Sequence, residues 1–87
     1  MRTECIMDET LLEVEEALNY NIRALSIYEK RYGNLDLLEK VECYYEIAQS
    51  YEILSLGEKD EPKKECFIEK AEENRKTSSE MRQRLSA

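Results

Sequence analysis

The chain of 87 residues has no histidine, no tryptophan, one proline, two glycines and three cysteines. Each scarcity removes a class of function. Without histidine, nucleophilic catalysis of the Ser/His or Cys/His kind lacks its base. A histidine phosphotransfer role fails for the same reason. Cys5, Cys43 and Cys66 are widely spaced and include no CxxC pair, so no structural zinc site is expected. An odd count at such spacing is also a poor disulfide framework. The three cysteines read as buried, reduced thiols acting as small hydrophobes, which fits a reducing, cytoplasmic setting. With only Gly33 and Gly57, there is no glycine-rich phosphate loop. No apolar run approaches a membrane span. The first ten residues contain three acids and no long apolar stretch, so no secretory leader is expected.

What is abundant is charge and helix formers. Glu, Leu, Lys, Arg and Ala dominate, all residues that favour helix. The net charge is -7, and nucleic-acid phosphates and anionic lipid repel such a chain. Acid is concentrated early, with Glu4, Asp8, Glu9, Glu13, Glu15 and Glu16 against Arg2 alone. Residues 58–87 balance eight acids with eight bases. A chain of this length forms one domain and buries only roughly 60–65% of its unfolded surface. Its core is therefore modest, and burial against a partner would support it.

Punctuation divides residues 1–87 into three helices of a single all-α domain, an antiparallel array. The first is expected at about 10–32, capped by Asp8 or Thr10 and ended by Gly33-Asn34. The second is expected at 37–56, with Asp36 as cap and Gly57 as stop. The third is expected at 62–85, opened by Pro62 where its missing N–H is harmless. No segment alternates in the manner of a strand.

Apolar spacing supports these helices. On the first, Leu11, Val14, Leu18, Leu25, Tyr28 and Tyr32 form one stripe that only Asn21 interrupts. Ala17, Tyr20, Ala24 and Ile27 form a second stripe on another face. A helix apolar on two faces is expected to sit between neighbours. The second helix carries Leu37, Val41, Tyr44, Ala48 and Tyr51, widened by Leu38, Ile47 and Leu54. The third has Phe67, Ile68 and Ala71, then only Met81 and Leu85. Surface so sparsely covered implies a partner.

The second and third helices resemble a tetratricopeptide repeat. Ile47-Ala48-Gln49-Ser50-Tyr51 is similar to the family's first-helix core of large, small and large residues, with Tyr44 one turn earlier. Cys66-Phe67-Ile68-Glu69-Lys70-Ala71 resembles the second-helix pattern. Ala17-Leu18-Asn19-Tyr20-Asn21-Ile22-Arg23-Ala24-Leu25 repeats that second-helix pattern. The resemblance covers roughly residues 11–76: the second half of one repeat and one full repeat. It departs from the family at Lys64 and Asn21 and lacks the aromatic-glycine signature. Ala24 and Ala71, equivalent in this alignment, lie 47 residues apart, against a usual repeat of about 34.

The resemblance implies a protein–protein interaction or assembly module with no catalytic residues and no cofactor. Repeats of this kind need stacked neighbours, since one unit cannot bury both its faces. Stacking in an oligomer, foremost a homodimer, is therefore expected, with Leu11, Val14, Leu18, Leu25 and Tyr28 as its interface. The family's peptide groove falls on Glu42, Tyr45, Gln49 and Glu52, a set suited to a basic or mixed peptide.

Three other readings compete. An acidic helical inhibitor would present carboxylates to a basic partner. Three helices of this length are also similar to microtubule-interacting-and-transport domains, which bind helical tails. Finally, Glu13 with Glu16, and Glu39 with Glu42 and Glu46, have the one-turn spacing with which helical hydrolases hold Mg²⁺. Glu is so frequent here that such pairs arise by chance. Lys30 and Lys40 nearby point to helix-surface ion pairs instead.

Overall fold

A computed structural model describes the backbone of residues 2–87 and the side chains of residues 11–87. Three helices follow one another: α1 over Arg2–Tyr32, α2 over Leu38–Gly57 and α3 over Glu61–Ser86. The all-α, three-helix array is as the punctuation implies. Helix α1 starts earlier than its expected caps, so Asp8 and Thr10 lie inside it.

Gly33 ends α1 for a conformational reason. Its φ is +62°, a left-handed value that a side chain would strain. Its N–H donates to the Glu29 carbonyl at 2.8 Å, which closes the last turn. Lys40 satisfies the next carbonyl. Its Nζ donates to the Gly33 oxygen at 2.6 Å, placing a cation at the negative end of the α1 dipole. The expectation of a surface ion pair for Lys40 is thus corrected, because this side chain is 3% exposed.

Helix α2 begins without the Asp36 cap. Leu37 occupies the cap position and makes no side-chain bond there. The Asp36 carboxylate is engaged elsewhere, by Arg84 near the end of α3, at 2.8 and 3.0 Å. Gly57 is the last residue of α2, with ordinary helical backbone, and Glu58 takes the cap position. Leu11 of α1 packs at this glycine, where an added Cβ would lie 3.5 Å from its methyls. Asp60 caps α3 by accepting from the Lys63 N–H at 3.3 Å, and Pro62 lies in the first turn.

Helix α2, not α1, sits between neighbours. Both other helices pack on it, α3 the more extensively, and among the described residues no Cα of α1 comes within 8 Å of one on α3. The reason lies in small residues. Val41, Ala48 and Ser55 form one buried edge of α2, and Cys43, Ile47 and Ser50 form the other. Ala71 and Ser78 supply the small buried residues of α3, with Met81 a turn beyond. Small side chains let helix axes approach closely. The Ser78 hydroxyl donates to the Val41 carbonyl across this contact at 2.9 Å. Tyr51 stacks on Phe67 with centroids 6.0 Å apart, and the Lys70 ammonium lies 5.7 Å from the Tyr51 ring centre.

The result is an open layer with extents of 49 × 21 × 19 Å. Its radius of gyration is 14.6 Å, against about 12 Å for a compact chain of this length. Among the described residues, no helix is long and apolar enough to cross a membrane.

Candidate assembly surface

The five residues expected at an oligomer interface are used inside the chain. Leu18 is buried, and Leu11, Val14, Leu25 and Tyr28 are half-buried on the side of α1 that faces α2. Asn21 completes this stripe, buried, with its amide donating to the Ala17 carbonyl at 2.9 Å. That self-contained bond explains how a polar residue interrupts an apolar face at low cost. The Tyr28 hydroxyl is pushed above its ordinary pKa by burial first, then by Cys43 and Glu39 of α2. The Tyr44 phenol is also raised, by burial and by the Glu29 carboxylate of α1. Leu11 and Leu18 meet Tyr51, Leu54, Phe67 and Lys70 around a cleft of about 400 Å³, where all three helices converge.

The other α1 stripe is open. Tyr20 is 73% exposed and Ile27 is 54% exposed. Ala17 is exposed one turn before Tyr20, and Ala24, between Tyr20 and Ile27, is half-buried. Leu12 and Ile22 add exposed apolar surface to the same helix. Helical register sets this stripe about a quarter-turn away from the face that packs on α2.

The outer edge of α3 has the opposite character. Opposite its buried Ala71, Ser78 and Met81 lie Glu65, Glu69, Glu72, Lys76, Glu80 and Gln83, all exposed. One edge of the layer is therefore polar along its length, and the other is interrupted by large apolar groups.

Glu42, Tyr45, Gln49 and Glu52 lie together on the exposed face of α2. The Gln49 amide donates to the Tyr45 hydroxyl at 3.3 Å. Helix α3 reaches over this stripe. Arg75 donates to the Glu52 carboxylate at 2.5 Å, and its guanidinium lies 6.0 Å from the Tyr45 ring centre. Arg82 lines a hollow with Glu42, Tyr45 and Gln49. The stripe is thus less acidic than α2 alone implies. A more apolar hollow of about 470 Å³ lies further along, between Ile53, Leu56 and Ile68. Sequence reasoning missed it, because Leu56, next to the last residue of α2, lies outside the apolar stripe of that helix and is 82% exposed.

The carboxylates Glu13, Glu16, Glu39, Glu42 and Glu46 are all exposed. Among the described residues, no three acidic or thiol side chains converge on a point that could hold a metal ion. Of the described cysteines, Cys43 matches the expectation of burial and Cys66 does not. Cys43 is buried, and its thiol is pushed above its ordinary pKa by that burial and by Glu46, Glu42 and Glu39. Cys66 is exposed, because register places it outside the face of α3 that meets α2. The Cys5 side chain lies outside the described residues.

Comparison with protein-family models, with curated proteins and with solved structures finds no match to this chain.

Proposed function

We propose that this chain is a non-catalytic assembly module of the tetratricopeptide kind, which self-associates through its first helix. The observation that carries the reading is the asymmetry of its two edges. A polar outer edge on α3 suits a terminal helix in water, as in the capping units of helical repeats. The outer edge of α1 exposes Tyr20 and Ile27, groups that gain from burial. In the tetratricopeptide resemblance, α1 is a second helix, and such helices pack against stacked neighbours. A second copy supplies a surface for that edge.

Light scattering after size exclusion tests the reading. The expected mass is twice 10.3 kDa at concentrations of about 10 µM and above, the range for a small interface. Ile27→Asp is expected to return the mass to one chain while keeping its helical circular dichroism. Leu18→Asp, which strikes the contact with α2, is expected to lose helicity instead, by about 3 kcal/mol or more of destabilisation. A wild-type mass of 10.3 kDa at every concentration overturns self-association.

Peptide capture is the second reading, and the hollow at Ile53, Leu56 and Ile68 is what favours it. It gains if the chain is monomeric and Leu56→Asp alone abolishes binding to a helical or extended peptide.

A further inference from the structure

The open edge of α1 has a pattern that specifies its occupant. Glu13, Ala17, Tyr20, Ala24, Ile27 and Arg31 follow one another at spacings of four, three, four, three and four. That is the heptad-like spacing of a helix–helix seam. Five of the six are exposed and Ala24 is half-buried. The seam reads the same way when reversed about residue 22, with each group meeting its complement. Position 13 falls opposite 31, position 17 opposite 27, and position 20 opposite 24. In a second copy running antiparallel, Glu13 thus meets the partner's Arg31, Ala17 meets the partner's Ile27, and Tyr20 meets the partner's Ala24. Every large side chain faces a small one, and every charge faces its opposite.

We infer that two copies of the chain pair through α1 in an antiparallel register centred on Ile22. This inference rests on the self-association reading above and adds the orientation and the register. Two physical points select this arrangement over others. A parallel pair sets Glu13 on Glu13 and Arg31 on Arg31, which repel, and crowds Tyr20 against Tyr20. Stacking α1 on the outer edge of α3 would instead bury Tyr20 and Ile27 against carboxylates.

Glu13 and Arg31 are available for such pairing. The ion pairs among the described residues are Arg75 with Glu52 and Arg84 with Asp36, and neither involves these two. The alanines let the two axes come within the close range of about 8 Å. From Glu13 to Arg31 the seam runs for about 28 Å, and the two ion pairs sit at its ends, where they fix register more than they add affinity. Glu13 and Ala17 also line a hollow of about 300 Å³ with Glu46, Gln49 and Ile53 of α2. The partner helix lies along its rim.

Charge exchange tests the register. Glu13→Arg alone sets Arg against Arg at both ends of the dimer, and Arg31→Glu alone sets Glu against Glu. A one-to-one mixture of these two variants restores both pairs in the heterodimer. Dissociation constants are read by sedimentation equilibrium, with helicity checked by circular dichroism. Both positions are exposed on a helix and both new residues are good helix formers, so the fold is retained. The expected result is that each variant alone dimerises at least about tenfold more weakly than wild type. The mixture is expected to recover to within about threefold of it. If the mixture is no tighter than either variant alone, or neither variant weakens the dimer, the register is wrong. A wild-type dimer that Ile27→Asp still disrupts then keeps the self-association reading intact. A wild type that is monomeric throughout overturns both.

Discussion

Lys40 shows how one side chain ties two elements together. Its aliphatic stem is covered by the packing around the turn, and its ammonium reaches the Gly33 oxygen at the end of α1. Long cationic side chains combine both roles. A charged hydrogen bond of this sort contributes about 2 kcal/mol. Lys40→Ala is therefore expected to lower the melting temperature by roughly 10 °C. Lys40→Met, which keeps the stem, is expected to recover part of that loss. Thermal denaturation followed by circular dichroism measures both, and an Ala variant that melts with wild type would show the bond to be dispensable. Ser78 has a related role on the opposite side of α2, where its hydroxyl reaches the Val41 carbonyl.

Between elements, the pair of Asp36 and Arg84 clamps the end of α3 to the turn between α1 and α2. Two hydrogen bonds from the guanidinium hold the Asp36 carboxyl below its ordinary pKa of 3.8, and the Arg84 guanidinium is correspondingly raised. The clamp is complete above that ordinary value and is lost as the pH falls through the lowered value of the folded chain. Both groups face water, so the effect is local and screened by salt. Arg84→Ala is expected to speed amide exchange in the last two turns of α3 at about pH 6, with the difference from wild type shrinking at acid pH, below the ordinary 3.8 of Asp36. Equal exchange at both pH values would remove the clamp from the account. The sequence could not reveal this pair, because its members lie 48 residues apart and Asp36 sits where a helix cap is expected. Most of the elements were legible, since Gly33, Gly57 and Pro62 mark their limits. The order of packing was not. Reading large residues favoured α1 as the central helix, whereas the buried edges of α2 rely on Ala48, Ser50 and Ser55. Small residues carry little weight in a hydrophobic pattern, yet they decide which helices can approach closely. The same bias drew the expected interface to Leu11, Leu18 and Leu25, which the fold packs toward α2.

At the scale of the whole molecule, the open layer is the controlling feature. Among the described residues, helices α1 and α3 lie on α2 without touching backbone to backbone, which leaves the chain extended and each outer edge free to be treated differently. The fold gives α3 an edge of carboxylates and amides, and α1 an edge with aromatic and aliphatic groups. The mass measured by light scattering is accordingly expected to level off at two chains as concentration rises. A mass that keeps climbing would mean that the α3 edge also takes part.

If the chain pairs as proposed, it is a unit with one adhesive edge and one inert edge, and its valence is one. Such units couple and then stop, whatever their supply, so crowding raises the fraction coupled but never the length of the product. Fusion of a second, non-adhesive domain to the α3 end would join two cargoes and no more, and an excess of bare chain would uncouple them by occupying every edge.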